Sequence, residues 1–108
     1  MAGNVIEISD ANFQKEVLES PVPVLIDFWA AWCGPCRALA PTIEQVATER
    51  AGQVKVCKLD VDGSPNVAGQ YAIRSIPTIL LFKGGDNVGQ LIGNVPKGAI
   101  DDLLNKVV

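Results

Sequence analysis

The chain has 108 residues, 48% of them hydrophobic and 19% charged, with a formal net charge of −3. That is apolar material for one ordinary core, so a single folded domain over residues 1–108 is expected and disorder is not. The acidic balance and the lack of any Lys/Arg run argue against a phosphate-backbone partner, so no nucleic acid is expected.

The start, Met1-Ala2-Gly3-Asn4-Val5-Ile6-Glu7, has no basic n-region before an acidic residue intervenes, unlike an export signal. The most apolar stretches, 22–32 and 76–82, are too short to span a bilayer, and Asp27 interrupts the first. A cytoplasmic protein without membrane contact is expected.

In chain order, Val5-Ile6-Glu7-Ile8 reads as a short strand ending at Ser9-Asp10, either of which suits a helix cap. A helix through Phe13, Val17 and Leu18 follows, closed by Ser20-Pro21. Residues 22–29 form a nearly continuous apolar run, as in a strand buried on both faces of a parallel sheet. Leu39, Ile43, Val46 and Ala47 fall at helical spacing, with Pro41 inside the pattern and expected to kink it. Gly52 suits a left-handed cap. Residues 54–61 read as a strand and 67–71 as a short helix. Residues 78–82 and 88–92 flank Lys83-Gly84-Gly85-Asp86 as an antiparallel hairpin. Ile100, Leu103, Leu104 and Val107 make an amphipathic last helix. The order β-α-β-α-β-α-β-β-α predicts an α/β fold, a mixed sheet with helices on both faces.

There are three cysteines and no histidine. Cys33-Gly34-Pro35-Cys36 stands at the junction of the 22–29 strand and the next helix. There Cys33 meets unpaired backbone N–H groups and the positive end of the helix dipole, which favour the attacking thiolate. Cys36, one turn on, is within disulfide reach. Cys33 is thus the expected nucleophile and Cys36 the resolving thiol. Gly34 permits close backbone approach and Pro35 fits a first helical turn. Neither brings a cation, so the reduced form is only moderately stabilised, which favours reduction of disulfides over their formation. A structural zinc site needs four ligands, and only Cys57 remains beside the pair, so no metal is expected. A purely structural disulfide does not suit a reducing compartment. Cys57 reads as a buried, unreactive thiol, a regulatory role being the alternative.

Trp32-Cys33-Gly34-Pro35-Cys36, set in Phe28-Trp29-Ala30-Ala31-Trp32 and followed by Arg37, resembles the thioredoxin family. So do Pro41, Lys58-Leu59-Asp60-Val61-Asp62, Ile73-Arg74-Ser75-Ile76-Pro77-Thr78, Phe82-Lys83-Gly84-Gly85 and Gly93. The resemblance covers nearly the whole chain. It implies the thioredoxin fold, a central mixed sheet of about five strands flanked by about four helices. It implies a protein-disulfide reductase cycling through a Cys33–Cys36 disulfide, in which Cys36 resolves the mixed disulfide formed by Cys33. Asp27 matches the family's buried carboxylate, which takes the Cys36 proton, and Lys58 lies near it. A capped or solvated strand-end carboxylate is the alternative for Asp27. Pro77 matches a cis-proline facing the dithiol. The Ile76 backbone would pair with substrate, and Trp32, Ile76 and Gly93 would form an apolar rim. Trp29 is assigned to the core beneath. Implied partners are disulfide-containing protein substrates and a thioredoxin reductase, and a monomer is expected. No flavin or nicotinamide is expected, because no glycine-rich phosphate loop follows a strand. Ala31, Ala72, Gly63-Ser64-Pro65 and Asn94 depart from the commonest pattern, with Ala31 and Asn94 bordering the rim. A binding module with incidental cysteines, and an isomerase or oxidant, are the competing functions.

Overall fold

The computed structural model describes residues 4–108. Five strands, β1 (Val5–Ile8), β2 (Val24–Trp29), β3 (Lys55–Asp60), β4 (Thr78–Lys83) and β5 (Asp86–Ile92), form one sheet in the order β1-β3-β2-β4-β5. β1 and β2 run parallel to β3, and β4 and β5 are antiparallel additions. The helices are α1 (Gly34–Glu49), α2 (Pro65–Gln70) and α3 (Lys97–Leu104), with a π-helical turn at Gln14–Leu18. This is the thioredoxin fold expected from the sequence.

The continuous apolar run of β2 is explained by its central place, since successive side chains enter opposite layers. Val24, Ile26 and Phe28 join Cys57, Leu59, Leu80 and Phe82 against the π-helical turn and α2. Leu25 joins Val56, Ile79 and Leu81 against Leu39, Ile43 and Val46 of α1 and Ile100 of α3. Phe13, Tyr71 and Phe82 close the first layer, Tyr71 and Phe82 meeting edge to face at 5.3 Å.

Two local features differ from expectation. The first helical segment is π-helical rather than α-helical. The Ser9 hydroxyl accepts the Ala11 N–H in the turn before that segment, whose start has no side-chain cap. The Asp10 carboxylate accepts the Asn66 and Val67 N–H groups at 3.1 and 2.9 Å. Asp10 thereby caps α2, more than fifty residues away in sequence. Helix α1, as the sequence spacing indicated, runs through Pro41 for its full 16 residues. Its buried stripe of Leu39, Ile43, Val46 and Ala47 outweighs the one lost hydrogen bond. The expected hairpin is present, and Gly84 and Gly85 carry φ of +61° and +86°, as a tight primed turn requires.

Candidate active site

Parallel strands β2 and β3 end at the same edge of the sheet, and the dithiol is built there. The chain leaves β2 at Trp29, turns through Ala30 and Ala31, and enters α1 with Cys33 as its N-cap. Cys33 holds extended geometry, φ −89° and ψ 110°, which aims its sulfur back over the first turn. The Cys36 N–H donates to Cys33 Sγ at 3.2 Å, so an otherwise unpaired helix N–H is spent on the sulfur. No acidic residue occupies the first turn to oppose that positive end. Gly34 and Pro35 open the helix, where a proline's missing N–H costs nothing.

Cys33 and Cys36 are joined as a disulfide with Cα atoms 5.2 Å apart. Both are buried, packed with Ala30 and flanked by Trp29, Val61 and Ile76. Across from them, the Ile76–Pro77 peptide is cis, and Cys33 Sγ lies 3.7 Å from the Ile76 carbonyl oxygen. The Gly93 N–H donates to the Pro77 carbonyl at 2.8 Å, tying the loop after β5 to the cis-proline segment. Gly93 sits at φ +95°, a backbone that side-chain-bearing residues rarely adopt. Trp32 is 68% exposed, so it is a surface residue beside the dithiol and not a core residue.

Beneath Cys36 runs a cleft of about 80 Å³ whose walls include Asp27, Trp29, Ala40, Glu44 and Lys58. Such a volume is large enough to hold water. Asp27 is only 5% exposed, which removes the solvated-carboxylate alternative. Burial raises its pKa from 3.8 to about 7, against the opposing pull of the Lys58 charge. A carboxyl balanced there both accepts and returns a proton near neutral pH.

The structure thus brings Cys33, Cys36, Asp27, Lys58, Trp32, Ile76, Pro77 and Gly93 to one end of the sheet. Two placements went beyond the sequence reading. Trp29, assigned to the core, packs against the cysteines but is half-buried and walls the cleft. Asp62, read only as part of a family motif, accepts the Trp32 indole N–H at 2.8 Å. Its signal was topological: the residue just past β3 falls beside the turn after β2 once the two strands are paired in parallel. Cys57 is fully buried in β3, and burial pushes its thiol up to about 12, so it stays protonated at neutral pH. Among the described residues, no group of three or more His, Cys, Asp or Glu side chains is placed to hold a metal ion. No helix among them is long and apolar enough to cross a membrane.

The family model for thioredoxin matches residues 4–106. A thioredoxin of Synechocystis sp. is 51% identical over 100 residues, covering 93% of this chain and 94% of that protein. One of Chlorobaculum thiosulfatiphilum is 54% identical over 99 residues, covering 92% of each chain. A third, of Rickettsia felis, is 50% identical over 108 residues and covers both chains completely.

Proposed function

The chain belongs to the thioredoxin family, a thiol–disulfide oxidoreductase by its kinship and its dithiol, and on that premise we propose how its residues divide the work. In the reduced protein, the Cys33 thiolate attacks one sulfur of a substrate disulfide. The substrate S–S bond breaks, a mixed disulfide forms on Cys33, and the first substrate thiolate leaves. Asp27 then takes the Cys36 proton through the cleft. Cys36 attacks Cys33 Sγ, the Cys33–Cys36 bond forms, and the second substrate thiolate leaves with the electron pair. The substrate has gained two electrons and the protein has lost two. Lys58 tempers the charge on Asp27.

Trp32, Ile76, Pro77 and Gly93 receive an extended segment of the substrate protein, with main-chain pairing at Ile76. Gly34 and Pro35 keep the potential low by adding no cation beside the thiolate. The disulfide is returned to the dithiol by a thioredoxin reductase, in the cytoplasm, and the chain acts as a monomer.

The observation carrying this division is the asymmetry of the two sulfurs. Cys33 Sγ accepts a helix N–H, whereas Cys36 lines the cleft that holds Asp27. The test is the reduction of insulin disulfides by dithiothreitol with and without the protein. Strong acceleration is expected, and its loss in Cys33→Ser. Acceleration that survives this substitution overturns the nucleophile assignment.

A further inference from the structure

Asp27 on β2 and Lys58 on β3 are direct register partners, so opposite charges stand side by side on one face of the sheet. Among the described residues, however, no ion pair joins them, and Asp27 Oδ1 has no hydrogen-bond partner. The Lys58 ammonium lies instead over the Trp29 ring, 5.2 Å from its centroid. That is inside the range at which an aromatic face attracts a cation. Trp29 follows Asp27 by two residues on the same strand, so both side chains emerge on one face. They wall the same cleft.

We infer that Trp29 is a positioning residue: its indole face holds the Lys58 ammonium off the Asp27 carboxyl, keeping that carboxyl a base for Cys36 instead of half of an ion pair. The inference rests on the reading of Asp27 as the base. An opposite charge in contact makes a carboxylate a weaker base, whereas one held at a distance only moderates the effect of burial. The opposing influences of burial and Lys58 on Asp27 fit that arrangement. The other groups around Asp27 leave Lys58 as the cation that decides the matter. From α1, Cys36, Arg37 and Glu44 line the cleft, and the Arg37 guanidinium is engaged with the Ala31 carbonyl at 2.8 Å. Val5 of β1 and the β4 register partner Ile79 are apolar.

The test is carbon-13 NMR titration of the Asp27 carboxyl in the reduced protein, for wild type, Trp29→Leu and Trp29→Phe, each with Lys58 and with Lys58→Met. With Lys58 present, Trp29→Leu frees the ammonium, and the acid dissociation constant of Asp27 is expected to rise roughly tenfold. Trp29→Phe keeps an aromatic face and stays close to wild type. With Lys58→Met, Trp29→Leu produces no further rise. An unmoved or higher titration in Trp29→Leu overturns the inference. So does an equal rise in the Lys58→Met background, which would report water admitted to the site.

Should Trp29→Leu not fold, the wild-type proton spectrum decides. The Lys58 ε-methylene is expected upfield of its free-lysine position through the indole ring current, and a free-lysine shift overturns the inference. The base reading fails separately. If Asp27→Asn releases a trapped mixed disulfide as fast as wild type, Asp27 is not the base, whatever the titrations show.

Discussion

Cys57 and Asp27 are two buried ionisable groups on neighbouring central strands, and they face opposite sides of the sheet. Both are deprived of water, yet the thiol is pushed up to about 12 and the carboxyl to about 7. On the Cys57 side, Phe28, Phe82, Ile26 and Leu59 are fully buried, and the Phe13–Tyr71–Phe82 cluster closes the layer. On the Asp27 side, α1 stands off far enough to leave a cleft, with a cation at its wall. Burial alone makes a group reluctant to ionise. Burial beside an opening and an opposing charge leaves a carboxyl near neutral pH, as the proposed role of Asp27 requires. The sheet thus uses one face for stability and one end of the other for chemistry.

The sharpest way to break this comparison is to open the closed face. Phe82→Ala is expected to cost about 3–5 kcal/mol in denaturant unfolding, because a tight aromatic layer collapses poorly around a lost ring. A cost below about 1 kcal/mol would show that this face is not packed more tightly than the other.

Asp27→Asn tests the open face, and its effect on stability depends on pH. Below pH 3.8 the carboxyl is protonated in both folded and unfolded chains and costs nothing extra. Between 3.8 and about 7 only the unfolded chain ionises, so rising pH favours unfolding. Above about 7 the full penalty stands, at most about 4 kcal/mol from a shift of that size. Asp27→Asn should therefore be more stable than wild type at pH 8, with the gain fading to nothing towards pH 3. Urea midpoints across that range check it, and a gain independent of pH would contradict the buried titration.

The smallest effect concerns the loop between the closed face and the cis-proline. Ala72 adopts φ +54°, where a Cβ is strained. Ala72→Gly relieves that strain but frees the unfolded chain, so a net gain of under about 1 kcal/mol is expected by thermal unfolding. A clear loss of stability would show that the left-handed backbone at Ala72 carries no cost.

Much of the fold was legible because the local signals agreed with the tertiary arrangement. The 22–29 run named the central strand, Gly84-Gly85 named the hairpin, and the spacing of Ile100, Leu103 and Leu104 named the last helix. The π-helical form of Gln14–Leu18 was not legible, since Phe13, Val17 and Leu18 fit an α-helix equally well. Asp10 carried a capping signal but no address, because its own segment and α2 offered it the same kind of N–H. In the site, the dithiol and its place at a helix start followed from the residues alone. Asp27, Lys58 and Pro77 had meaning only through family resemblance, because an isolated carboxylate, lysine or proline carries no chemistry in its spacing. Trp29 packs beneath the dithiol as its sequence position suggested, but its contact with Lys58 was not legible, because it depends on the register of β2 on β3.

The sequence by itself determined that this protein has a redox dithiol at a helix N-terminus, without histidine to bind metal or to sharpen the thiolate. Those are facts about neighbours along the chain. Only the tertiary structure decided that Asp27 is walled into a cleft under Cys36, that Lys58 rests on Trp29, and that Asp62 holds the exposed Trp32. Periodicity tells which face a side chain takes. Strand order and register decide what it meets there, and those arise from the packing of segments far apart in sequence.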